Sequence, residues 1–221
     1  MNHHSPLIIF EDNHLIAAYK RSGQTVQPEP NKPESLEEEV KRYIKEKYKK
    51  EGAVFLGVIH RIDMPVSGIV LFARTSKALT RMNEIFHDRL VQKVYLVKVE
   101  GKPKATKELL TNWLRSDENK NFTKAFTDEV KNALIAKLTY EFIDYKAGVS
   151  LLRVFLHTGR KHQIRAQLSA MGCPVLGDVK YGATKALADH SIALQAYSLS
   201  FEHPVQHTLL EIKLTDNTLK L

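Results

Sequence analysis

The stretch Val58–Ala78, VIHRIDMPVSGIVLFARTSKA, constrains the fold of this chain more than any other. Ile69-Val70-Leu71-Phe72-Ala73 is a short apolar run that reads as a buried strand. Pro65 and Gly68 punctuate its entrance as a turn, and Asp63 lies at the head of that turn. Asp63 is the only acidic residue between Glu51 and Glu84, and His60, Arg61, Arg74, Lys77 and Arg81 flank it. Nearby positive charge favours the ionised form of a carboxylate. The stretch thus predicts an ionised carboxylate on a constrained turn at the mouth of a sheet, a suitable place for a nucleophile. By itself, Asp followed by Pro and Gly is equally ordinary turn chemistry.

A second stretch, Leu151–Gly182, bears on that choice. It reads LLRVFLHTGRKHQIRAQLSAMGCPVLGDVKYG. A strand ends at His157-Thr158-Gly159 and a helix starts near Lys161, carrying Ile164, Leu168 and Met171 at helical spacing with Gly172 as its C-terminal cap. Backbone N–H groups at that start, with Arg160, Lys161 and Arg165, make an anion site. No acidic residue occurs between Asp144 and Asp178, while Lys146, Arg153, Arg160, Lys161 and Arg165 do. That window is a candidate phosphate-binding surface. Its bland alternative is a strand–turn–helix with a solvated basic face.

The formal net charge of +8 points to a polyanionic partner and says nothing about fold. Apolar content of 43% and charged content of 26% are those of a soluble globular protein. No apolar run reaches the length of about 18 residues that a transmembrane helix needs. The N-terminal MNHHSPLIIF has too short an apolar core for a signal peptide. One cysteine, Cys173, forms no internal disulfide, fits a reducing cytosol, and between Gly172 and Pro174 reads as a buried structural thiol.

Along the chain, Leu7–Glu11 and Leu15–Tyr19 form a hairpin pattern around Asp12-Asn13. Ser35-Leu36-Glu37-Glu38 is a capping box that opens a helix, and Ser76 reads as the cap of a second. Val54–Val58, Lys93–Glu100, Ala133–Ile143, Val149–Leu156, Ile192–Phe201 and Thr208–Leu214 read as strands, whereas residues 102–132 are polar and predicted irregular apart from a piece around Leu109–Leu114. The prediction is a single α/β (α+β) domain over residues 1–221, with a mixed, mostly antiparallel sheet and flanking helices.

Taken together, these stretches resemble a family. His60-Arg61-Ile62-Asp63 followed by Ser67-Gly68, Lys93-Val94-Tyr95-Leu96 followed by Gly101, and Thr158-Gly159-Arg160-Lys161-His162-Gln163-Ile164-Arg165 are similar to the RluA family of pseudouridine synthases. Gly177-Asp178, Tyr181-Gly182 and Phe201-Glu202-His203-Pro204 continue the match in order, over roughly Leu7–Leu214. The resemblance implies the pseudouridine synthase fold with a central RNA-binding cleft, without an S4 domain. It also implies cofactor-free isomerisation of uridine in folded ribosomal or transfer RNA. Asp63 matches the catalytic aspartate, Arg165 the arginine that pairs with it, and Tyr95 the tyrosine against the target base. Arg61 matches the arginine that fills the gap left by a flipped nucleotide. His60, Arg160, Lys161, His162 and Gln163 are expected at the RNA. Val66 stands where the family commonly has Thr, and Gln195 where it has His, both outside the core chemistry.

Three other classes fit the residues less well. A metal centre on His60, His157 and His162 lacks carboxylate or Cys partners at ligand spacing. A glycosidase needs a second carboxylate near Asp63, and only Asp178 is offered, which reads as a strand-end or turn residue. A non-catalytic RNA-binding module has no reason to keep a carboxylate facing phosphate. The expectation is a cytoplasmic, monomeric RNA enzyme with no metal, no cofactor, no obligate protein partner and no membrane association.

Overall fold

The computed structural model describes residues 5–216, so residues 1–4 of the N-terminal segment lie outside the description. In chain order the first elements are β1 (Ile8–Glu11), β2 (Leu15–Lys20), α1 (Leu36–Lys47), β3 (Gly57–Val58), β4 (Ser67–Ala73) and α2 (Ser76–His87). Next come β5 (Gln92–Glu100), β6 (Lys107–Asp117), β7 (Phe122–Phe126), β8 (Leu134–Lys146) and β9 (Val149–Leu156). The last are α3 (Gln163–Ala170), a 3₁₀ turn at Val179–Tyr181, β10 (Leu194–Glu202) and β11 (Leu209–Lys213). The described residues pack as two units, one of residues 5–91 and 196–216, the other Gln92–Gln195.

In the first unit the strand order is β1-β2-β4-β10, with β11 on β10 and β3 on β4. β2 pairs antiparallel with β4, from Leu15 opposite Ala73 to Lys20 opposite Gly68. Both strands are apolar on both faces because both faces are covered. Leu15, Ala17, Ile69 and Leu71 pack with Ala78 and Met82 of α2. Ile16, Ala18, Val70 and Phe72 pack with Leu36, Val40 and Ile44 of α1. α1 starts as its sequence says: Ser35 accepts from the Glu38 N–H, and the Glu38 carboxylate accepts from the Ser35 N–H at 2.8 Å. α2 is capped one residue earlier than expected. Thr75 has the extended backbone of an N-cap and its hydroxyl accepts from Ala78, so Ser76 is the first helical residue.

The second unit is a five-stranded antiparallel sheet ordered β5-β9-β8-β6-β7. Residues 102–132, expected to be mostly irregular, contain the whole β6–β7 hairpin. The apolar pattern is weak there because polar side chains occupy the buried face, the Thr123 hydroxyl pairing across the hairpin with that of Ser116 at 3.0 Å and Asn112 with a residue far away in sequence. Thr123 is 1% exposed, and its N–H donates to the Tyr181 hydroxyl at 2.9 Å. Asn112 accepts from Gln167 of α3 at 2.8 Å. α3 lies on this face, where Ala166 packs with Leu114 and Ala136.

Candidate active site

Asp63 sits on the turn between β3 and β4 in the first unit. Its carbonyl accepts from the Val66 N–H at 3.0 Å, closing the turn over Met64-Pro65. A second loop clamps this turn from below. Lys20 ends β2 fully buried, and its ammonium donates to the carbonyls of Met64 (3.0 Å), Gln24 (2.8 Å) and Arg21 (3.0 Å). Gly23 N–H also donates to the Met64 carbonyl, and the Ser22 hydroxyl to that of Pro65 at 2.9 Å. Gly68 lets the strand leave the turn. Its φ is +120°, and a Cβ there would lie 2.3 Å from the Ala196 carbonyl oxygen, so a side chain does not fit.

Lys20 couples this clamp to charge. Burial pulls its ammonium down to about 7, while the negative charge of Asp63 pulls the other way. The three carbonyls use three N–H donors, which only the protonated amine supplies. The pH dependence has a definite sign. Below pH 7 Lys20 is protonated in folded and unfolded chains alike, and its contribution is flat. Between about 7 and the ordinary 10.5 the unfolded chain holds a proton that the folded one lacks, so the Lys20 contribution to stability rises with pH. Its slope is at most about 1.4 kcal/mol per pH unit. Urea midpoints from pH 6 to 10 are expected to show this increment in wild type relative to Lys20→Met. Parallel curves for the two proteins would refute it.

The two other residues of the HRxD segment have distinct surroundings. The His60 Nε2 accepts from the Leu71 N–H at 3.1 Å, and the ring stacks on Phe86 with centroids 5.2 Å apart. His60 is thereby part of the scaffold that holds the segment to β4 and α2. Arg61 is exposed, with Nη1 3.5 Å from the Gln27 Oε1.

In the second unit the TGRKHQIR segment makes the tight turn from β9 into α3. His162 takes the left-handed conformation at the N-cap, with φ 52°, and gives no side-chain cap. Gln163, expected at the RNA, is 3% exposed, and its amide is fully used inside the protein. Its Oε1 accepts from the Thr158 hydroxyl (2.7 Å) and the Arg160 N–H (3.0 Å). Its Nε2 donates to the Lys137 carbonyl (3.1 Å) and the Gln167 Oε1 (3.0 Å). Two lone pairs and two protons exhaust a carboxamide, so the Gln163 side chain knots the turn.

His162 braces the same turn. Burial raises the Tyr181 phenol, keeping it protonated. Its oxygen accepts from the Thr123 N–H, and the His162 Nδ1 shares a hydrogen bond with the same hydroxyl at 2.8 Å. Arg160 is half-buried, with Nε donating to the Ile135 carbonyl at 3.3 Å, and Lys161 pairs with Glu118 at 2.7 Å.

Arg165, on the first turn of α3, is 5% exposed. Asp178 takes it in a two-point grip, Nε to Oδ2 at 2.6 Å and Nη2 to Oδ1 at 2.9 Å. Its guanidinium also stacks over the Tyr181 ring at 4.7 Å. Asp178 itself is 2% exposed, so the pair is desolvated and geometrically fixed. Asp178 is a site residue that its sequence reading as a strand-end or turn missed. Tyr95 lies on β5 opposite Val154 of β9, 9% exposed on the buried face of the sheet. Cys173 is buried, and burial pushes its thiol up, which makes it a poor nucleophile.

Residues 14–170 match the RNA pseudouridylate synthase family. The chain is 32% identical over 206 residues to the dual-specificity RNA pseudouridine synthase RluA of Vibrio vulnificus, covering 91% of this chain and 80% of that one. It is 31% identical over 216 residues to tRNA pseudouridine synthase C of Haemophilus influenzae, covering 90% and 87% of the two. The fold is shared with the solved human RNA pseudouridylate synthase domain containing 4, at a TM-score of 0.78 and 20% identity over 95% of this chain and 88% of that one. The chain belongs to the RNA pseudouridylate synthase family.

Proposed function

We propose that this protein isomerises uridine to pseudouridine in a stem–loop of ribosomal or transfer RNA, with Asp63 as the attacking carboxylate. The observation that carries this reading is the Asp63 turn: a carboxylate whose flanking backbone is clamped by Lys20, Ser22 and Gly23 in a chain of this family. A carboxylate so held is pre-organised to act on a nucleotide without the backbone rearranging. Asp63 attacks the target nucleotide at C1′ or at the base, and the C1′–N1 bond breaks. The uracil turns and C1′–C5 forms, while C5 loses its proton and N1 gains one. No atom is added or lost, and no cofactor enters.

The family resemblance gives Arg165 the role of supporting that carboxylate and Tyr95 the role of lying against the base. The Asp178 grip supports that role for Arg165, because it fixes the guanidinium before RNA arrives. Arg61, exposed beside Asp63, takes the place of the flipped nucleotide, whose unstacking costs a few kcal/mol. The protein acts as a monomer in the cytoplasm. Purified protein added to total RNA from cells lacking it tests the reading by nucleoside mass spectrometry. New pseudouridine in one RNA size class supports it, and unchanged pseudouridine content in every class overturns it.

A further inference from the structure

Among the described residues of the second unit, the helix cover lies on one face of its sheet. On β8 and β9, Ala136, Leu138, Tyr140, Leu152 and Val154 are fully buried, and the residues between them are not. α3 packs on that buried side through Ala166. Alternation then fixes what the other side carries. Trp113 of β6 stands directly opposite Phe126 of β7 on one flank and Ile135 of β8 on the other. One step along the hairpin, Arg115 stands directly opposite Lys124. One step the other way, Lys137 stands opposite Thr111. The three aromatic and aliphatic side chains are half-exposed and the three cations exposed.

The Arg115–Lys124 pair needs an explanation. Like charges directly opposite across a ladder are destabilising. Both cations lie against the Phe126 ring, each 5.1 Å from its centroid, and no carboxylate among the described residues pairs with either. The sheet's own Glu141 is held by Lys107 at 2.8 Å with Arg153 at 3.8 Å, and Glu118 at the hairpin end is held by Lys161. An anion between Arg115 and Lys124 would relieve the repulsion. An open antiparallel face with aromatics in a row and cations on both sides is the arrangement on which unpaired bases stack while phosphates are neutralised.

We infer that this outer face is a second RNA-binding surface. It takes a single-stranded segment, stacking bases on Trp113 and Phe126 with phosphates at Arg115, Lys124 and Lys137. Such a surface extends the footprint on a substrate beyond the nucleotide being modified. The inference rests on the RNA reading above and uses none of the residues assigned to the chemistry.

Trp113 is the only tryptophan in the chain, so its fluorescence reports on this face alone. The probe is a single-stranded oligoadenylate of about 12 nucleotides, within the span one binding face holds. Titration is expected to quench Trp113 in wild type and in Asp63→Asn alike. Arg115→Ser with Lys124→Ser raises the dissociation constant about tenfold and lowers the salt slope by about 1.4, for two single-strand phosphate contacts. The rate on saturating RNA stays unchanged in the double variant.

Binding with silent Trp113 and equal affinity in the double variant overturns the surface while leaving the synthase reading intact. Quenching without any pseudouridine formation leaves the surface standing and removes the synthase. No RNA binding at all removes both.

Discussion

Asp63→Asn is expected to reduce pseudouridine formation by about 10⁴-fold or more, the order lost when a nucleophile is removed from an enzyme that otherwise keeps its binding energy. RNA affinity is expected to change by less than about twofold, because phosphate contacts supply most of it. The substitution is nearly isosteric, and the turn keeps its backbone contacts. Its closure uses the Asp63 carbonyl, and Lys20 grips the Met64 carbonyl. What does change is the charge facing Lys20. Asp63 pulls the Lys20 ammonium upward, so its removal lets burial pull Lys20 below about 7. Single-turnover kinetics with a binding isotherm on the same RNA separate loss of chemistry from loss of affinity. A variant that binds but turns over at the wild-type rate would refute the role given to Asp63.

Asp178→Ala is expected to destabilise the fold far more than Asp63→Asn. It removes both bonds that the 5%-exposed guanidinium of Arg165 makes to Asp178. Breaking a buried pair in this way costs about 3–5 kcal/mol, because the guanidinium loses this two-point grip while it stays desolvated. For a chain of this length that lowers the melting temperature by roughly 10 °C. Asp178→Asn keeps one acceptor and is expected to fall between wild type and Asp178→Ala. If the Arg165 position matters to the chemistry, Asp178→Asn also lowers the rate at saturating RNA below what its stability explains. A stable, fully active Asp178→Ala protein would show that Arg165 needs no such anchor.

What could be read from the sequence was local. The Ser35–Glu38 capping box names both partners within three residues, and β2 and β4 announce their burial by unbroken apolar runs. The Asp63 turn was legible because Pro65, Gly68 and one isolated carboxylate fall together. What escaped was set by partners distant along the chain. The β6–β7 hairpin hides Asn112 and Thr123 on its buried side, and the bonds of the Asn112 side chain to Gln167 and of the Thr123 N–H to Tyr181 leave no trace in periodicity. Asp178 reaches Arg165 only because the chain after α3 returns through the 3₁₀ turn at Val179–Tyr181. Gln163 belongs to a motif that reads as RNA-facing, yet four internal hydrogen bonds make it a knot. Ser76 and Thr75 are adjacent hydroxyls, and only the backbone of Thr75 tells which one caps α2.

Residue charge followed a similar division. The acid-free window between Asp144 and Asp178 was visible in the sequence, but its members went to different tasks. Arg165 is buried against Asp178, Arg153 leans on Glu141 at the sheet surface, and Lys161 meets Glu118. The cations of the outer face, Arg115, Lys124 and Lys137, lay outside that window. They became a group only when the strand register set them side by side.

The most direct test of the central claim is pseudouridine mapping at nucleotide resolution on RNA from cells without this protein, complemented by wild type or by Asp63→Asn. The account predicts defined positions that vanish on deletion, return with wild type and stay absent with Asp63→Asn. Positions restored equally by both proteins, or no position that responds to deletion, would contradict it.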